Sequence, residues 1–106
     1  MARYSEKRIS YQEQERLMLM LSRVLAVLKT DRAIHNFLKD LLNRQERLML
    51  VRRLLIAELL ARGETYEQIF KKLGASSGTV AKVDRRLNFG RKGLLAGVLA
   101  KRKLLF

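Results

Sequence analysis

The sequence predicts an all-α protein of about six helices that carries a helix-turn-helix. Leu, Arg, Lys, Glu, Gln, Met and Ala dominate the 106 residues, and all are strong helix formers. Pro is absent and Gly occurs only 6 times, so little interrupts a helix. Capping residues stand ahead of apolar residues at helical spacing. With 48% apolar residues the chain is not intrinsically disordered. Its length suits a single domain, 1–106, and a domain this small gains from pairing with a second copy.

The first helix is expected from about Tyr11 to Lys29. Leu17, Met18, Leu21, Val24, Leu25 and Leu28 follow helical spacing, while Leu19, Met20 and Val27 put apolar groups on other faces. A helix apolar most of the way round is buried on more than one side, which in so short a chain implies a partner subunit. Thr30 or Asp31 can cap a second helix, from about Arg32 to Leu42. Asn43 and Glu46 form a capping box for a third, which reaches Arg62, with Gly63 placed for a left-handed end. Residues 11–62 thus read as a dimerisation scaffold. The run Glu15-Arg16-Leu17-Met18-Leu19 recurs at Glu46–Leu50, but the flanks diverge, and Leu-rich helices repeat by chance.

Residues 65–87 read as helix, tight turn, helix. Thr65 and Gln68 open the first helix with another capping box, Ile69 and Leu73 give it an inward face, and Gly74 turns the chain. Ser76 or Ser77 caps the second, on which Val80, Val83 and Leu87 repeat at helical spacing before Asn88 and Gly90 stop it. Phe70 is either core or part of the outer face. Two short helices anchored this way leave the outside of the second available to a major groove. A last segment, 91–106, reads as a basic amphipathic helix with its apolar stretch from Leu94 to Leu105. That tail suits either a membrane surface or a packed core position, and Gly93 and Gly97 favour the packed one.

Charge points the same way. The chain carries +13, and from residue 68 onward ten basic residues face one acid, Asp84, for a local +9. An excess of this size calls for a polyanion, and double-stranded DNA fits a helix-turn-helix best. Ser76, Ser77, Gly78 and Thr79 are small enough for close approach, with Lys82 for base readout. Lys71, Lys72, Arg85, Arg86 and Arg91 are expected on phosphates, with Lys92 extending the patch. A basic RNA-associated protein is the alternative with the same charge requirement.

Other classes are excluded. Without Cys there is no disulfide scaffold, thiol catalysis or cysteine-bound metal, and the single His35 builds no multi-histidine site. Gly74 to Gly78 lacks the ending of a phosphate loop, and no catalytic set stands out, so neither an enzyme nor a cofactor is expected. The apolar stretch Leu17–Leu28 is broken by Ser22 and Arg23 and falls short of the roughly 20 residues of a membrane span. No targeting pattern appears, so the reading is cytoplasmic, with no membrane partner.

The run LLNRQERLMLVRRLLIAELLARGETYEQIFKKLGASSGTVAKVDRRL resembles the core of the tryptophan repressor family, most of all its YerC/YecD-type relatives. The resemblance covers roughly residues 38–90. It rests on Glu46-Arg47, Arg53, Glu58-Leu59-Leu60, Arg62-Gly63-Glu64, and Leu73-Gly74-Ala75 followed by Thr79-Val80. It implies an all-helical intertwined homodimer and a DNA-binding transcription regulator.

In tryptophan-responsive members two arginines sandwich the indole. Arg53 matches the first, but Lys82 stands at the second, Val83 at a glycine that lets the indole lie flat, and Arg86 at a serine near the ammonium. The turn ahead of the short first motif helix is also one residue shorter. Arg53 and Lys82 therefore remain effector-site positions for a ligand the sequence does not name, and tryptophan binding is not expected. The family's DNA-reading positions fall on Glu67, Phe70, Ser76, Ser77, Gly78 and Ala81. Glu67 replaces a basic residue and Phe70 a lysine, so the operator should differ from the tryptophan operator.

Overall fold

The structure, a computed structural model, describes residues 9–100. They form six α-helices and no strand: α1 Tyr11–Leu28, α2 Asp31–Leu41, α3 Arg44–Ala61, α4 Tyr66–Leu73, α5 Ser77–Phe89 and α6 Gly93–Ala100. The chain divides into two compact units, residues 1–42 and 43–106. The boundary cuts the 11–62 stretch read from the sequence as one scaffold, assigning two of its helices to the first unit and the third to the second.

In the first unit α1 and α2 pack on each other. Ser10 caps α1 by accepting the Glu13 N–H at 3.1 Å. Lys29, in the left-handed region at φ 62°, ends it. Of the two candidate caps for α2, Thr30 holds the position, its Oγ1 accepting the Ala33 N–H at 3.1 Å. Asp31 supplies the acid that the helix dipole favours in the first turn. The apolar residues of α1 find little cover within this unit. No residue of α1 is buried, and Met18, Leu19, Met20, Val24 and Val27 are exposed, Val27 by 74%.

The second unit holds the core. α3 starts at the expected capping box: the Asn43 side chain accepts the Glu46 N–H and the Glu46 carboxylate accepts the Asn43 N–H, both at 2.9 Å. The two halves of this helix differ. Ile56, Ala57 and Leu59 are fully buried, whereas Leu48, Met49, Leu50, Val51 and Leu54 face outward. Ile69 from α4, Ala75 from the turn, Val80, Val83 and Leu87 from α5, and Val98 from α6 complete the buried cluster. Removing a side chain such as Ile69 from water contributes about 1.5–3 kcal/mol, so the core rests on a handful of residues.

Two sequence expectations shift. Helix α5 runs through Asn88 to Phe89, because the Asn88 side chain donates to the Asp84 carbonyl one turn back and stays helical. The helix ends at Gly90, whose backbone turns extended at ψ −158° while its N–H still donates to the Arg86 carbonyl, an approach that leaves no room for a Cβ. The last helix begins at Gly93 and is described to Ala100, so Lys101, Arg102 and Lys103 lie outside the described residues. Its described part, GLLAGVLA, carries no charge. Any basic amphipathic character of 91–106 therefore comes from the flanking residues. Helix α6 packs on α3 and α5 of its own chain, burying Val98 with Leu94 and Leu95 alongside.

Phe70 is 57% exposed, so the core alternative for it is corrected by its neighbour Ile69, which is fully buried and takes the inward position. Ile69→Ala should therefore lower unfolding free energy by about 2–5 kcal/mol. Phe70→Ala should stay within about 0.5 kcal/mol of the parent. Urea titration followed by circular dichroism compares the two.

Candidate nucleic-acid interface

Helix α4 opens at the Thr65–Gln68 capping box, with the Gln68 side chain accepting the Thr65 N–H at 2.8 Å and Thr65 Oγ1 accepting the Gln68 N–H at 3.1 Å. It closes at Gly74, whose φ of 69° glycine adopts at no steric cost. The Gly74 N–H donates to the Phe70 carbonyl at 2.7 Å. From α3, Arg52 Nη2 donates to the Gly74 carbonyl at 3.0 Å, tying the turn to the scaffold helix. Of the two candidate caps for α5, Ser76 serves, its Oγ accepting the Thr79 N–H at 3.3 Å.

Val80, Val83 and Leu87 face inward, which turns the rest of α5 out. Ser76, Ser77, Gly78, Lys82, Arg85 and Arg86 are exposed, as is Arg91 beyond the helix. Gly78, Lys82 and Arg85 share a face at helical spacing. Thr79 is half-buried, and its hydroxyl sits 3.0 Å from Ser76 Oγ, so it belongs to the cap as much as to the outer surface. On α4, exposed Lys71 pairs loosely with exposed Glu67 at 3.6 Å, a contact a phosphate can replace at little cost. Lys72 is bound to half-buried Glu64, so it must leave a closer partner to reach a phosphate. Lys92, expected to extend the patch, instead donates to the Asn88 carbonyl at 2.7 Å and closes the end of α5.

Asp84, the single acid from residue 68 onward, is kept occupied. Tyr66 from α4 donates its hydroxyl to Asp84 Oδ2 at 2.7 Å, and Asn88 Nδ2 donates to Oδ1 at 2.6 Å. The carboxylate is therefore turned to its own helices rather than to the neighbouring cations, and it joins α4 to α5. The hydrogen bond to Asp84 holds the Tyr66 phenol above its ordinary pKa, with desolvation and the Asp84 charge adding to it. Neither Tyr66–Asp84 nor Arg52–Gly74 leaves a mark in the sequence, because the partners stand 18 and 22 residues apart.

A cavity of about 200 Å³ opens between α3 and α5, lined by Arg53, Thr79, Lys82, Val83 and Arg86. Arg53, Lys82, Val83 and Arg86 are the positions that the family resemblance aligned with an effector site, and they meet in one place. Thr79 was not among them. Among the described residues no group of three or more His, Cys, Asp or Glu is placed to hold a metal ion.

A profile described as Trp repressor protein matches residues 16–102, reaching past the legible motifs of 38–90 into α1 and α6. Uncharacterized protein YerC from Bacillus subtilis (strain 168) is 39% identical over 56 residues, which is 53% of this chain and 54% of YerC. The alignment thus spans about half the length of that relative. No solved structure gave a significant match.

Tyr66→Phe should loosen α4 from α5 and lower the melting temperature at neutral pH. The phenol's pKa is raised in the folded state, so its contribution is complete below about pH 10, the ordinary phenol value, and fades as pH rises through the raised one. Melting curves of the two proteins should converge in that alkaline range. A gap that stayed constant would show that the hydroxyl acts otherwise.

Proposed function

The chain belongs to the Trp repressor family, and from that premise we propose that it is a sequence-specific, homodimeric DNA-binding transcription regulator. The family is one of helix-turn-helix regulators rather than enzymes. The observation that carries the reading is the outer face of α5. Small residues at its start adjoin exposed Lys82, Arg85 and Arg86, while Asp84 is held by Tyr66 and Asn88.

In this reading α5 enters the major groove. Ser77, Gly78, Thr79 and Lys82 approach base edges, with the Ser76 cap setting the backbone N–H groups of the first turn near phosphate. Lys71, Arg85, Arg86 and Arg91 contact the backbone on either side, and Lys72 joins them only by exchanging Glu64 for a phosphate. The exposed apolar residues of α1 and of the first half of α3 support a second copy as their cover. Two copies of α5 would then meet successive grooves about 34 Å apart. No helix among the described residues is long and apolar enough to cross a membrane. We place the protein in the cytoplasm, where such a regulator meets its operator.

The ligand that gives the family its name does not suit this chain. Val83, 5% exposed, stands where an indole would lie, and Arg86 adds positive charge where an ammonium would sit. Equilibrium dialysis with L-tryptophan should show no saturable uptake at micromolar concentrations.

Selection from a random duplex library should recover an inverted repeat bound by a dimer. Signal from structured RNA alone would replace duplex DNA as the partner. Against the selected site, Lys82→Ala should cost about 1–3 kcal/mol, roughly 5- to 150-fold in affinity. Arg85→Ala should weaken specific and nonspecific sites alike and lower the salt slope by about 1. Unchanged binding by the Lys82 variant would remove that residue from the readout set.

A further inference from the structure

The cavity between α3 and α5 has an unusual lining for its size. Of the five described residues that line it, three are cations: Arg53 from α3, and Lys82 and Arg86 one turn apart on α5. The other two are the Thr79 hydroxyl, a donor, and the aliphatic wall of Val83. Among the described residues no carboxylate lines it. None of the three cations forms an ion pair with a carboxylate among the described residues. Asp84, next to Val83 in sequence, is held by Tyr66 and Asn88. Like charges four residues apart on a helix repel, and a third cation facing them across about 200 Å³ adds to that repulsion. A bound anion would relieve it.

We propose that this cavity is a binding site for a phosphate group. Arg53 offers the planar fork that matches phosphate oxygens in pairs, Lys82 and Arg86 supply charge from the other wall, and Thr79 can add a neutral donor. A zwitterionic amino acid has no carboxylate here to meet its ammonium, whereas a dianion meets positive charge from both helices.

The proposal deepens the DNA-binding reading of α5 and depends on it for one consequence. Lys82 and Arg86 serve both the cavity and the outer face, so a phosphorylated small molecule seated there would neutralise charge that DNA binding uses. It would weaken DNA binding, and DNA would weaken its binding by the same factor. The same phosphate chemistry could instead be supplied by the DNA backbone.

The test uses the full chain with inorganic pyrophosphate as probe, at ionic strength held constant with chloride. Calorimetry should show one saturable site per chain, weakened at least tenfold by Arg53→Gln and partly restored by Arg53→Lys. Pyrophosphate should also raise the melting temperature of the parent and not of Arg53→Gln. Because Arg53 is exposed, the variant should match the parent in circular dichroism; Lys82→Gln repeats the measurement from the other wall.

These arms need no DNA, so they stand or fall apart from the regulator reading. Absence of saturable uptake, or uptake indifferent to both Arg53 and Lys82, overturns the site. Duplex binding then separates the sources. If Arg53→Gln leaves duplex affinity unchanged and abolishes its loss in pyrophosphate, the phosphate is a small molecule's. If the variant weakens duplex binding as much as it weakens pyrophosphate binding, the phosphate is the DNA's.

Discussion

Burial of Ile69 and of the Val80, Val83, Leu87 stripe against Ile56 and Leu59 is the contact on which the rest of the second unit depends. Helices of 8 and 13 residues are marginal on their own in water. Packed on the second half of α3, they acquire a fixed orientation, and one side of α5 is committed inward. Its opposite side must then face out, and that side carries the small residues and the cations. The proposed DNA-facing surface is thus a consequence of where the valines and leucine of α5 sit.

Polar contacts refine what the core begins. Arg52 holds the turn carbonyl, the two capping boxes satisfy the starts of α3 and α4, and Tyr66 with Asn88 brackets Asp84. Most of these bonds lie at the surface, where each contributes little to stability. Their larger effect is electrostatic. In a region of net +9, one unbound carboxylate beside Lys82, Arg85 and Arg86 would neutralise part of the field a polyanion meets. Asp84 keeps its charge, which the net +9 already includes, but the bonds from Tyr66 and Asn88 hold its oxygens away from a direct ion pair with those cations. The cavity beside Arg53 lies in the same field, which couples a small anion there to the outer face through two shared side chains.

Much of this was legible in advance because local rules governed it. Helix starts followed from Asn43 with Glu46 and Thr65 with Gln68, since a cap and its partner are three residues apart. The end of α4 followed from Gly74 because positive φ excludes most other residues. The inward stripe of α5 followed from spacing. What failed to show were features set by distant partners or by competing side-chain bonds. Asn88, a turn former by habit, bonds back to Asp84 and prolongs α5. Phe70 loses the inward position to Ile69. Lys92 caps a helix instead of extending the basic patch.

Local chemistry therefore settled the all-α character, the boundaries of α1 to α5 to within a residue or two, the helix-turn-helix and the cationic third of the chain, because propensity, capping and charge are properties of neighbouring residues. Folding in three dimensions settled which apolar residues of each unit stay exposed, that Asp84 pairs with Tyr66 and Asn88, and that Arg53 meets Lys82 and Arg86 around one cavity. Those outcomes depend on groups up to tens of residues apart, and their proximity exists only once α3, α4 and α5 have packed together.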